Sequence, residues 1–110
     1  MAVEDTFNYQ NIDDLLHSRI RLAVVSLLAS CEEAEFTWIR EKIGATDGNL
    51  ASHCRKLEEA GYISMRKTFM NRKPVTWYRL TDTGRKAFKE YLQQLSKLLK
   101  ISFPDQPLGQ

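Results

Sequence analysis

The sequence predicts an α+β fold. Two short helices joined by a glycine-containing turn lead into a cationic two-stranded antiparallel hairpin, and longer helices frame the chain at both ends. Three stretches predict it. Leu57-Glu58-Glu59-Ala60-Gly61-Tyr62-Ile63 reads as a helix that ends at a glycine and turns into a strand. Tyr62 to Phe69 and Val75 to Leu80 are rich in β-branched and aromatic residues, and the five residues between them include Asn71 and Pro74, a turn composition. Tyr78-Arg79-Leu80-Thr81-Asp82-Thr83-Gly84 reads as a strand that hands over to a helix capped by Thr81.

The elements follow in order. Residues 1–10 are polar with a few aromatics and are expected to form a loosely held arm. From Ile12 the residues Leu15, Leu16, Ile20, Ala23, Val24, Leu27 and Leu28 recur at three- and four-residue steps, which puts an apolar stripe on one helical face. Ser18 is placed to cap a fresh helical start at Arg19. Cys31 to Glu35 reads as a loop, and Glu35-Phe36 is a candidate third strand. Thr37 is expected to cap a short helix, Trp38 to Ile43, that stops at Gly44. Thr46 or Asp47 caps the next helix, which runs to about Ala60. Two short helices joined in this way, the second amphipathic, make a helix-turn-helix pattern. Thr81 opens a final helix from Asp82 to about Leu99. Residues 11–100 are expected to form one domain, and residues 101–110, with Pro104 and Pro107, a frayed tail.

The net charge of +2 says little, but its distribution says more. Met1 to Glu35 holds seven acids and two bases, Phe36 to Leu80 four acids and nine bases, and Thr81 to Gln110 three acids and five bases. The middle of the chain is a cationic zone on a nearly neutral protein, as expected of a surface that meets phosphates.

Other functions find little support. Cys31 and Cys54 stand far apart, without disulfide-framework or zinc spacing, and His17 and His53 are isolated. The sequence has no glycine-rich phosphate loop, nucleophile elbow or histidine pair at metal spacing, so no enzyme activity, metal or cofactor is expected. With no signal peptide and no long apolar run, the expected setting is the reducing cytoplasm, away from membranes.

Three constellations remain. On the helix from Asp47 to Ala60, Leu50, Cys54 and Leu57 share an inward face. Asn49, Ser52, His53 and Lys56 fall largely on the opposite side, with Arg55 flanking, and these side chains suit base edges and phosphates. Gly48 lets the backbone approach a phosphate at the helix N-terminus. The plainer use of that face is ordinary solvation. In the hairpin, Arg66, Lys67, Arg72, Lys73 and Arg79 occur without a carboxylate. Such a ribbon repels itself unless it meets an anion, although an edge strand guarded against aggregation uses the same residues. Strand alternation is expected to send Ile63, Met65 and Trp77 to the core and Arg66, Arg72 and Lys73 to the exposed edge and tip. Trp38 and Tyr62 are expected to pack. On the last helix, Phe88, Tyr91, Leu92, Leu95, Leu98 and Leu99 form a stripe. With Leu15 and Leu16 of the first helix, it is expected to bury a partner helix across a two-fold axis, or else to close the chain's own core.

These motifs, together with Thr46-Asp47-Gly48-Asn49-Leu50-Ala51-Ser52-His53 and Arg66-Lys67-Thr68-Phe69, resemble the winged-helix transcriptional regulators of the MarR and ArsR superfamilies. More narrowly, the chain from about Asp13 to Leu95 is similar to a small stand-alone winged-helix DNA-binding family. The resemblance implies a winged helix-turn-helix with N- and C-terminal dimerisation helices. It implies double-stranded DNA as partner, a homodimer, and DNA contacts from the helix around Asn49 to Lys56 and from the wing. It names no small-molecule effector. The cysteine and histidine clusters of metal-sensing relatives are absent, and the extra helices that shape ligand pockets in many MarR proteins are reduced. The expected function is sequence-specific transcriptional regulation, most simply repression by occlusion. A protein-interaction module without sequence-specific DNA binding is the alternative.

Overall fold

The computed structural model describes residues 7–105. The expected arm and tail lie partly outside that range. Tyr9–Asn11 form one 3-10 turn. Then come helix α1 (Arg19–Ala29), strand β1 (Ala34–Glu35), helices α2 (Phe36–Ile43) and α3 (Asp47–Glu59), strands β2 (Ile63–Met70) and β3 (Lys73–Leu80), and helix α4 (Asp82–Ser102). The sheet is antiparallel with order β1-β3-β2, so the candidate third strand is present one residue earlier than expected, and Phe36 already belongs to α2.

Side-chain caps set the helix starts. Ser18, Thr46 and Thr81 accept hydrogen bonds from the backbone N–H groups of Arg21, Asn49 and Gly84. Gly44 and Gly61, at φ 77° and 80°, supply the left-handed residues that stop α2 and α3. The expected cap at Thr37 does not form: α2 starts after Glu35, which makes no side-chain cap bond. The fresh helical start expected at Arg19 is present, with Ser18 as its cap. The Asp13 carboxylate accepts from the backbone N–H groups of Leu15 and Leu16 (2.8 and 3.3 Å), so the chain turns there and helix resumes only after Ser18.

The hairpin is tighter than expected. Its turn is the pair Asn71-Arg72, both left-handed at φ 52° and 67°, and Met70 pairs with Lys73. Pro74 therefore lies within β3, opposite Phe69. Antiparallel pairs alternate, so next to the closing pair the position that lacks an N–H faces the outer edge of β3, which the two-residue β1 does not reach.

α1, α2, α3 and the sheet enclose a core of Leu16, Val24, Val25, Leu28, Ile39, Leu50, Cys54, Leu57, Ile63, Tyr78 and Leu80, which Tyr91 joins from α4. Leu16 is fully buried and Tyr91 is buried with its hydroxyl 2.9 Å from His17 Nδ1. These two residues belong to the chain's own core and not to an outward seam: the Asp13 turn swings Leu16 inward, and α4 meets the body at Tyr91. Leu15, Phe88 and Leu95 pack against the core from its rim. Leu92, Leu98 and Leu99 are exposed. The Cα radius of gyration, 16.5 Å, exceeds the roughly 13 Å of a compact chain this long. With extents of 63 × 27 × 23 Å, this fits a molecule whose last helix extends beyond the body.

Candidate nucleic-acid interface

The inward face of α3 fixes its outward one. Leu50, Cys54 and Leu57 are fully buried. Gly48, Ser52, Arg55 and Glu59 recur at four- and three-residue steps on the far side, flanked by Asn49 and Lys56, and all six are exposed. Arg55 lies at one margin of this strip and is exposed, and His53 lies beyond the other margin, half-buried. Arg55 and Lys56 make no ion pair among the described residues. A Cβ on Gly48 would meet nothing within 4 Å, so packing within the chain does not require glycine there. Arg40 Nη1 binds the Asp47 carboxylate at 2.6 Å, which ties the end of α2 to the start of α3 and offsets a negative charge that would repel a phosphate.

His53 is oriented from behind. Arg21 donates from Nη1 to His53 Nδ1 (2.8 Å) and from Nε to the Leu15 carbonyl (2.6 Å). An arginine can only donate, so His53 Nδ1 is the acceptor and its proton sits on Nε2, which is left as a donor. Burial first, then the positive charges of Arg21 and Lys56, lowers the His53 pKa. The unfolded chain therefore takes up the proton first as pH falls. The stability that the neutral imidazole contributes beside Arg21 is present above the ordinary histidine pKa and is lost as pH falls through the lower folded value. The urea midpoint is expected to fall between pH 7.5 and 5 by more in the wild type than in His53→Gln. Equal pH dependence in both would contradict the assignment.

The hairpin cations divide by strand alternation. Ile63, Met65, Lys67 and Phe69, with their partners Leu80, Tyr78, Thr76 and Pro74, lie on the face where α3 packs. Arg66 and Trp77 pair on the opposite face. Trp77 is thus not a core residue: it donates from Nε1 to Thr68 Oγ1 (3.1 Å), and the Arg66 guanidinium lies 5.6 Å from its ring centroid. Arg66 is also held by two hydrogen bonds to Glu33 (2.8 and 2.6 Å), a carboxylate from the loop before β1. Arg66 holds the Glu33 carboxyl below its ordinary range. The acid missing from the hairpin sequence is therefore supplied by a segment more than thirty residues away, and among the described residues Arg66 is the one predicted hairpin contact held in an ion pair. Lys67, Arg72 and Lys73 remain exposed at the distal end without an ion pair among the described residues. Trp38, expected to pack, is 41% exposed with Lys42 Nζ 5.6 Å from its ring centroid, whereas Tyr62 is half-buried and donates to Asp13.

Arg21 was not legible as part of this surface, because its partner lies 32 residues away on another helix. Burial pushes the Cys54 thiol up to about 12, which keeps it neutral and unreactive. Among the described residues, no group of three histidine, cysteine or acidic side chains could hold a metal, and no helix is long and apolar enough to cross a membrane. The arrangement presents hydrogen-bonding side chains on an exposed helix and cations at the end of a hairpin. That is a combination for a base-lined groove with a phosphate backbone.

Comparison with known proteins gives the same picture. Residues 20–99 match the family described as winged helix DNA-binding domain. An uncharacterised protein of Methanocaldococcus jannaschii is 36% identical over 86 residues, covering 78% of this chain and 94% of that protein. The structure of a transcriptional regulator homologue from Pyrococcus horikoshii superposes with a TM-score of 0.74 at 32% identity, over 84% of this chain and 89% of that one. A MarR-family transcriptional regulator from Silicibacter pomeroyi shares the fold, with a TM-score of 0.60 at 12% identity over 90% of this chain and 66% of that one.

Proposed function

Because this chain belongs to the winged helix DNA-binding domain family, we propose that it is a homodimeric, sequence-specific regulator of transcription that represses by occluding its operator. α3 enters the major groove, where Asn49, Ser52, Arg55 and Lys56 meet base edges and adjacent phosphates and His53 Nε2 donates from the side. Lys67, Arg72 and Lys73 hold the flanking backbone. The observation that carries this reading is the exposed strip from Gly48 to Glu59, set directly opposite the buried face of the same helix.

Dimerisation rests on α4. Leu92, Leu98 and Leu99 are 47%, 40% and 39% exposed on a helix whose buried residues are only Gly84 and Tyr91. A second copy that covers this stripe around a two-fold axis presents two α3 helices about 34 Å apart, on successive major grooves. Leu98→Arg is expected to weaken self-association at least about tenfold, read by sedimentation, while the monomer keeps its helical content.

Selection of bound duplexes from a random pool at two salt concentrations tests the whole reading. A palindromic consensus is expected, with log affinity falling against log salt at a slope of roughly −7 for about four neutralised phosphates per subunit. Enrichment of no sequence, with salt-insensitive or absent binding, would favour a protein-interaction role.

A further inference from the structure

The distal half of the hairpin does nothing for the core. The pairs Lys67–Thr76, Thr68–Val75, Phe69–Pro74 and Met70–Lys73 contain no buried residue. Yet this end is not simply polar. Phe69 is 76% exposed, the most exposed large apolar side chain among the described residues, and Met70 is 54% exposed. Phe69 stands across from the exposed Pro74 on the sheet face where α3 packs, so ring and pyrrolidine form one apolar edge. Single exposed apolar residues are ordinary, but Phe69 and Pro74 side by side on one face, with Met70 on the other, at the tip of a projecting ribbon need a use.

A second observation comes from the turn. A two-residue turn with both residues left-handed strongly favours glycine at its second position. Here that position is Arg72, at φ 67°. Its side chain is kept at a conformational cost that glycine would spare, which marks the tip as a place where local stability yields to function. Lys67 and Lys73 flank it, and no acid occurs between Arg66 and Arg79. An apolar edge inside a ring of cations fits a ligand that is anionic outside and stacked, flat and apolar within.

We propose that this end of the hairpin is a wedge: Phe69, backed by Pro74, enters the minor groove of the bound duplex while Arg72 holds the phosphates at its edge, and the ring partly opens a base step, bending the DNA. This rests on the reading above that the chain binds duplex DNA. The minor groove is only about 6 Å wide, so a ribbon carrying a phenyl ring enters it by widening it, and apolar wedges in that groove kink DNA. The bend turns the flanking backbone toward Lys67 and Lys73. Base steps that unstack readily are then preferred where no side chain reads a base edge, which adds specificity through DNA deformability.

The test uses full-length protein and a duplex of about 30 base pairs carrying the most enriched selected sequence, labelled at both ends for energy transfer. Wild type is expected to shorten the end-to-end distance by a bend in the range of about 20–90°. Phe69→Ala is expected to bind about tenfold more weakly and leave the duplex near straight, while Phe69→Leu keeps most of the bend. Phe69 is exposed and outside the core, so both variants are expected to fold, with unchanged melting curves as the check. A straight wild-type complex, or a bend unchanged in Phe69→Ala, would overturn the wedge while leaving DNA binding intact. If wild type binds no duplex, the proposed function fails with it. If the Phe69-dependent binding is instead to phosphatidylserine vesicles, the apolar edge is a membrane contact and the wedge is again overturned.

Discussion

Gly84→Ala is expected to destabilise the protein by about 3 kcal/mol or more, lowering the melting temperature by roughly 15 °C, or to prevent folding outright. Gly84 occupies the first turn of α4 and is buried. A Cβ built there overlaps the Tyr62 carbonyl oxygen and comes within 2.8 Å of both the Tyr62 carbonyl carbon and Leu80 Cδ1. The backbone cannot easily give way. The Tyr62 oxygen accepts from the Thr81 N–H (3.0 Å), and the Thr81 hydroxyl shares its proton between the Gly61 and Tyr62 oxygens (2.6 and 3.0 Å) while accepting from the Gly84 N–H (3.0 Å). Cap, carbonyl and glycine thus form one closed joint between the start of β2 and the start of α4. Any relief of the clash breaks the cap or moves Leu80 out of the core. Circular dichroism melts and urea midpoints read the effect. A variant with the wild-type midpoint would show that the joint is looser than this geometry implies.

The second large effect concerns binding. In a homodimer, Arg72→Ala with Lys73→Ala removes four cations from the hairpin tips. If each neutralises a phosphate, the slope of log affinity against log salt is expected to flatten by about 3.6, and affinity near 0.1 M salt to drop about a thousandfold. The loss is expected to be similar for cognate and random duplexes, because backbone contacts position the protein without reading sequence. Arg55→Ala is the contrast: it lies on the exposed strip of α3 proposed to face the groove, and its loss is expected to fall mainly on the cognate duplex. An unchanged salt slope in the tip variant, with its fold intact, would remove the hairpin from the interface.

Much of this was legible in local chemistry. Gly44 and Gly61 stop their helices, and Ser18, Thr46 and Thr81 start theirs, through bonds that span three residues. The buried and exposed faces of α3 follow from its 3.6-residue period. Where the fold departs from simple periodicity, either the deciding contact is distant in sequence or a competing local bond wins. The Asp13 carboxylate took the backbone N–H groups that a longer α1 would have needed. Trp77 alternates with the buried Tyr78 and Leu80, so it faces away from the core once those two anchor the strand.

By itself, then, the sequence determined the order of elements, the helix boundaries set by caps and glycines, and the residue types offered to a polyanion, because each depends on neighbours a few positions apart. Tertiary structure alone decided which of those residues remain free. It paired Arg66 with Glu33, set His53 against Arg21, drew Leu16 and Tyr91 into the core and left Phe69 in the open. Those outcomes depend on which surfaces the folded chain brings within hydrogen-bonding distance, and no local spacing encodes that.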